Sequence, residues 1–316
     1  MGRFLFKRIT TFVATLAVAS IVVFVVLELL PGNAAQVMLG PTATPEQVAA
    51  LERTLGLDRP PAQRYLDWIG GLLQGRTAVS VSYGTPVSEL IAERLQVSLP
   101  LAVLAMVLTT AIALALGVYA AAHHRRAGDL SVMVLSQAGL AVPSFWLAIL
   151  LILLFAVKLQ WVSAGGFPGW YDGAWPAMKA LLLPALALAA VQAAILARVT
   201  RSAVLEVSRE DYVRTARAKG LSRRAVLWGH VLRNAMIPVL TIMGLQFANL
   251  ITGAIIVENV FVLPGLGRLV FQAIANRDLV VVRDVVLLLA ATVVLVNFVV
   301  DVLYALIDPR LSARDA

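Results

Sequence analysis

The sequence predicts an all-α membrane protein of six transmembrane helices, with a small helical insert after the first. Three observations carry this. Hydrophobic residues make up 60% of the 316, and mean hydropathy is +0.87, whereas soluble domains average roughly 45–50% apolar residues. The excess is gathered into runs of about twenty residues, the length that crosses a bilayer core. Lysine and arginine are concentrated in the short segments on one side of those runs, the usual mark of the cytoplasmic face.

The first apolar run is 9–30, preceded by Arg3, Lys7 and Arg8. It is longer than the roughly 7–15 apolar residues of a cleaved signal and reads as a retained anchor. Residues 31–96 are mixed in character. Within them Pro45 to Leu55 forms a short helix, with Thr44 as its N-cap, Pro45 at the first helical position and Gly56 at its end. A second helix, Ala62 to Leu73, follows the Pro60-Pro61 break. The second span is 97–122, ending at "HHRRAGD". The third is 130–157, with a kink expected at Pro143. The loop "LQWVSAGGFPGWYDGAWP" carries tryptophans suited to a membrane interface. The fourth span is 177–199, the fifth 237–257 and the sixth 285–307. A core of 97–308, with a tail of 309–316, completes the division of the chain.

Sixteen of the twenty-six basic residues fall on the side of the N-terminus. Five of the other ten lie in the long 31–96 segment, where the charge rule is weak. Both termini are therefore expected in the cytoplasm, and the 31–96 insert outside it. The net charge of +8 then reflects membrane orientation and interaction with lipid. No nucleic-acid partner is expected. The absence of cysteine excludes disulfides, thiolate metal sites and cysteine nucleophiles.

One cytoplasmic stretch stands apart. "DYVRTARAKGLSRRAVLWGHVLRN" (211–234) is rich in arginine and lies between two spans. Residues 207–219 read as a helix, with Glu210 four residues before Arg214 in the favourable acid-first order. Gly220 interrupts it. Ser222 caps a second helix running to about Asn234. Leu227, Trp228, Val231, Leu232 and Ala235 form its apolar stripe, opposite Arg223, His230 and Arg233. Three readings are open: a solvated basic loop, a DNA-reading helix-turn-helix, and a docking element for a cytosolic partner. A DNA reader pinned between two spans is disfavoured by access.

This stretch resembles the EAA loop of ABC importer permeases, in the branch that imports dipeptides, oligopeptides or nickel. Four further stretches share the resemblance: "LFKRI…LLPGNAA", "AVPSFWLAILLILLFAVKLQWVSAGG", "NAMIPVLTIMGLQFANLITGAIIVENVFVLPGLGRLVFQAIANRD" and "VDVLYALIDPRL". Together they cover nearly the whole chain. The resemblance implies the type I ABC importer permease fold in a bacterial inner membrane, with the coupling loop over 200–236. It implies a second homologous permease subunit, two cytosolic ABC ATPase subunits or domains and an extracytoplasmic substrate-binding protein. ATP and Mg would be held by the ATPases, and no cofactor is expected on this chain. The family's loop glycine falls on Gly220, its second alanine on Ala216 and its first on Thr215. Arg214 stands where the family has glutamate, so Glu210 or Asp211 is left to supply an acid. Lys219, Ser222, Arg223 and Arg224 complete the expected contact surface. The family's Leu-Pro reads Leu232-Arg233, with proline only at Pro238.

Inside the spans the polar residues are few. Gln192, Gln246 and Asn249 either bond helix to helix or line a path. Gly244, Ala248 and Thr252 recur every four residues, a pattern that permits close helix approach. Asp301 is expected to meet Tyr304 or a loop arginine. "VLPGLG" lacks the lysine and hydroxyl residue of a phosphate loop. Glu258, Pro264, Gly265, Gly267 and Asp278 are expected around an external gate, with Arg277 and Asp278 open to a binding protein or substrate. An ordinary turn before a short helix is the plainer alternative. A secondary transporter would need titratable groups deep in the spans, which are nearly free of charge. No HExxH, G-x-S-x-G or Walker A pattern occurs.

Overall fold

The computed structural model describes residues 2–29, 35, 39–40 and 43–307. The 309–316 tail, with Arg310 and Arg314, and the expected end of the first span at Leu30 lie outside the described residues. The helices are α1 (Gly2–Leu29), α2 (Pro45–Leu55), α3 (Pro61–Leu73), α4 (Val87–Ala122), α5 (Ala127–Ala141), α6 (Ser144–Lys158), α7 (Ala174–Val207), α8 (Asp211–Ala218), α9 (Arg223–Val260), α10 (Leu266–Ala275) and α11 (Leu279–Ile307). Five of them, α1, α4, α7, α9 and α11, are long and apolar enough to cross a bilayer.

The expected third span is two helices. α5 and α6 meet at 101° across Val142 and Pro143. Val142 is extended (φ −91°, ψ 120°), because a residue before proline is driven out of the helical region. The result is a break rather than the expected kink. The pair still leads from one end of the bundle to the other. Asp129, at the start of α5, is bound by Arg201 near the end of α7. After α6, the Trp170 indole N–H donates to the Gln96 carbonyl near the start of α4, 2.9 Å away. Pro100, Pro184 and Pro238 lie inside continuous helices. The fifth span therefore does not begin afresh at Ile237. It continues from Arg223 through a π-helical stretch, Leu227–Val231.

Small residues set the core. Gly117 of α4 lies against Thr200 and Ala197 of α7, where a Cβ would come within 2.6 Å of the Thr200 Cβ. Along α7, Ala185, Ala187, Ala189, Ala193 and Ala197 are all buried. α9 packs on α7 and α4, and α11 runs beside α1 and α9. Arg8 of α1 pairs with Asp301 of α11 at 2.6 Å, so the arginine that Asp301 meets lies on a helix and not in a loop; the Tyr304 side chain lies outside the described residues. Both described ends of the chain thus lie at one end of the bundle.

The 45–73 helices form as their caps dictate. Thr44 and Gln47 make a reciprocal capping box, and Gly56 closes α2 at φ +66°. α3 starts one residue earlier than expected, at Pro61. It is fastened to α1 by the Ser20–Tyr65 hydroxyl bond (2.8 Å) and by Phe24, which touches Tyr65 and Trp68.

Candidate functional site

The 208–222 loop folds as a compact hairpin at the end of the bundle where α1 begins. α7 stops at Val207, and the next helix begins at Asp211 rather than continuing from 207. Glu210 is the N-cap residue. Arg214 meets Asp211 at 3.3 Å on an exposed face, so the expected Glu210–Arg214 pair is replaced by one a single residue closer in sequence. At the far end of α8, the Gly220 N–H donates to the Arg217 carbonyl (3.0 Å) and the Leu221 N–H to the Ala216 carbonyl (3.4 Å). This is a Schellman closure, and it requires the left-handed φ of +82° that Gly220 adopts. The Ser222 hydroxyl oxygen then accepts from the Ala225 N–H at 3.2 Å and starts α9.

The hairpin is seated by side chains of α8 and α9. Val213 and Ala216 are buried in one cluster with Leu196, Val204, Val226 and Val231. The Asn234 amide donates to the Tyr212 hydroxyl at 2.7 Å, tying α8 to α9. Arg214, Thr215, Lys219, Arg223 and Arg224 all face outward. So does Trp228, at 60% exposure, which removes it from the expected apolar stripe. Val231 and Ala235 of that stripe are buried as expected, with Leu227 and Leu232 packed against them, and Val226 takes the place of Trp228.

Sequence reasoning missed the group that holds this end together. Arg201 reaches both oxygens of Asp129, which also accepts from the Arg125 N–H at 3.0 Å and lies 3.2 Å from His124. Its one sequence signal is an arginine just past the end of the alanine-rich fourth span, three residues after Arg198, where a buried charge must find an acid. Nothing local says which.

The polar residues within the helices divide. Gln246, only 2% exposed, donates to the Gln192 backbone carbonyl at 3.0 Å and joins α9 to α7. Asn249 is exposed on the surface of this chain. A Cβ on Gly244 would overlap Val300, so this member of the small-residue stripe lies where α9 meets α11, while Thr252 is exposed.

At the opposite end, Glu258 is buried (1% exposed). It accepts from the Ser98 hydroxyl at 2.5 Å and from the Gly267 N–H at 2.7 Å. Ser98 Oγ in turn accepts from the Leu266 N–H at 2.8 Å. The 261–265 turn is thus latched to α4. Gly265 and Gly267 lie against the Glu258 carboxylate and Ile255, where a Cβ has no room. Asp278 is wholly buried. It accepts from Ser80 Oγ (2.6 Å), the Ser82 N–H (3.0 Å) and the Val281 N–H (3.3 Å). The expectation that it faces a partner or substrate is corrected: its hydrogen bonds are made within the chain, because the 80–82 turn folds over it.

Comparison with known proteins fits this architecture. Residues 113–313 match the family described as binding-protein-dependent transport system inner membrane component. Residues 1–102 match its N-terminal companion. A probable peptide ABC transporter permease protein of Sinorhizobium fredii is 39% identical, over 98% of this chain and 99% of its own. The di/tripeptide transport system permease protein DppB of Pseudomonas aeruginosa is 40% identical, over 98% and 99%. The glutathione transport system permease protein GsiC of Salmonella choleraesuis is 40% identical, over 99% and 100%. A chain from the crystal structure of an amino acid ABC transporter with histidines superposes with a TM-score of 0.51 at 18% identity, covering 71% of this chain and 94% of that one. It supports the fold alone. An α-helical chain of this architecture, matched to these profiles along almost its whole length, belongs to the family of inner membrane components of binding-protein-dependent transport systems.

Proposed function

We propose that this chain is one permease subunit of an ATP-driven importer of dipeptides or oligopeptides. It would form half of a translocation path with a second, homologous permease. A binding protein outside the cell would deliver the cargo, and two cytosolic ATPases would hold ATP and Mg. The names of the relatives support a peptide as cargo. The coupling role rests on one observation: α8 and the start of α9 form a capped hairpin whose buried face, Val213 and Ala216, is packed on α7.

In this reading the exposed face of the hairpin is the ATPase contact, and both termini are cytoplasmic. Arg214, Thr215, Lys219, Arg223 and Arg224 present it. Asp211 or Glu210 supplies its acid, with Asp211 already paired to Arg214. A displacement of the hairpin reaches α7 through Val213 and α9 without a hinge, since α9 is continuous from Arg223 to Val260. At the other end, the Ser98–Glu258–Gly267 latch fixes the turn that flanks the external gate. In this reading Asn249, exposed on α9, lines the path between two permeases, while Gln246 bonds to the Gln192 carbonyl and joins the helices behind it.

The test is reconstitution with the ATPases and a binding protein, followed by uptake of defined peptides. Peptide-stimulated ATP hydrolysis and uptake are expected, and Gly220→Trp should abolish both. Normal assembly and uptake in that variant would sink the coupling role. Uptake of nickel or another peptide-like solute in place of peptides would reassign the cargo within the same family. Uptake by this chain without ATPases would instead make it a secondary transporter or channel.

A further inference from the structure

The end of the bundle that carries α2 and α3 holds a cavity of about 440 Å³, walled by the last turn of α1, both short helices and the first turn of α11. Its charge is one-sided. Five arginines line it, Arg53, Arg59, Arg64, Arg76 and Arg283, against two carboxylates, Glu28 and Asp67. Arg64 pairs with Glu28, and Arg59 with Asp67. Arg283 lies over the Trp68 ring, 4.4 Å from its centre, pairs with the buried Asp284 at 3.4 Å, and is close enough to Arg64 to be repelled by it. The Arg64 Nε is buried and has no hydrogen-bond partner among the described residues. Arg53 and Arg76 reach the rim from exposed positions; Arg76 donates to the Gln74 side-chain carbonyl, and no carboxylate lining the cavity pairs with either among the described residues. Such a wall favours an anion with several acceptor oxygens.

The surroundings say where that anion is carried. The outer face of α1 is bare and apolar up to the cavity floor: Val18, Val22, Val25, Val26 and Leu29 are all exposed. Leu66 and Leu73, seven apart on α3, are exposed too. Trp161 and Tyr171 are exposed in the loop tied to this same end, and Trp175 in the first turn of α7 that follows it. Exposed tryptophan and tyrosine mark the headgroup level of a bilayer. The arginines therefore ring a pocket at the depth where acyl chains end and phosphates begin, with apolar helix surface below it.

We infer that this cavity binds the phosphate of an anionic phospholipid headgroup, with the acyl chains lying along the exposed face of α1. The site is independent of the transport reading and requires only that the chain span a membrane. It would fasten α1, the α2–α3 insert and α11 through one shared counter-ion.

The assembled permease complex, purified in detergent, is titrated with phosphatidylglycerol or phosphatidylcholine and read by native mass spectrometry. Wild type should retain phosphatidylglycerol in clear preference to phosphatidylcholine. Arg53→Ala combined with Arg76→Ala should weaken that retention about thirtyfold, the worth of two arginines at an anionic surface. Both side chains are exposed, so folding is not at risk, and an unchanged melting curve verifies this. Arg198→Ala, an exposed arginine on α7, should leave retention unchanged. Equal retention of the two lipids, or equal losses in the two variants, overturns the site. Displacement of the lipid by equimolar inorganic phosphate overturns the lipid as its ligand and leaves a free-phosphate site.

Discussion

The guanidinium of Arg201 grips both carboxylate oxygens of Asp129, at 2.5 Å from Nε and 2.7 Å from Nη2. The two residues lie 72 positions apart, and the pair is largely out of water. It fastens the start of α5 to α7 six residues before α7 ends. Breaking such a pair strands a charge, whereas replacing both members with apolar groups of similar size is far less costly. Asp129→Ala should destabilise the protein by about 3 kcal/mol. Asp129→Leu with Arg201→Met should recover most of that loss. Thermal melts of the three proteins in detergent check the order, and a double variant as weak as the single one would contradict it.

Gly220 sits at φ +82°, with open space where a side chain would project. Its requirement is therefore one of backbone conformation within this chain. Gly220→Ala should cost about 1–2 kcal/mol in stability. Gly220→Asn should cost less, since asparagine tolerates the left-handed region. If Asn assembles with ATPases as wild type does while Trp fails, the contact surface needs a small residue there. Co-purification of ATPase with each variant reads this directly.

Glu258 needs two donors, and both are supplied by the backbone and hydroxyl groups around it. Glu258→Gln must either set its NH2 against the Gly267 N–H or turn it to Ser98 Oγ, in which case the Ser98 hydroxyl proton loses its acceptor. A loss of about 1–3 kcal/mol is expected. Ser98→Ala removes one donor to Glu258 and the acceptor for the Leu266 N–H, so it should be similarly harmful. The two changes share a partner and should not add. Melting of the singles and the double tests this, and hydrogen exchange at Leu266 and Gly267 should rise in all three.

Gly244 of α9 packs directly against Val300 of α11, with no room for a Cβ. Gly244→Ala should cost about 1–3 kcal/mol through overpacking against Val300. Val300→Ala in the same chain should return most of it by clearing the space. An additive double variant would mean that the two helices do not meet there.

The features legible in the sequence were those written locally. Thr44, Pro45 and Gly56 bound α2 by themselves, and Gly220 with Ser222 divides the hairpin. Each acts through the dihedrals and hydrogen bonds of its own few neighbours. Apolar runs mark the spans for the same reason: length and composition are local sums. The boundaries that went astray, at 130–157 and 237, hinged on proline. The same residue breaks one helix at Pro143 and is absorbed in another at Pro238, according to the packing around it.

By itself, then, the sequence determined that the chain is a helical membrane protein, where its insert lies and where its arginine-rich hairpin turns. Only the tertiary structure decided which charges meet. Asp129 with Arg201, Ser98 with Glu258 and Ser80 with Asp278 are separated by 72, 160 and 198 residues. Their pairing follows from which helix faces pack together. That choice is made by shape, at glycines such as Gly117 and Gly244 and along the alanines of α7, and no short stretch of residues encodes it.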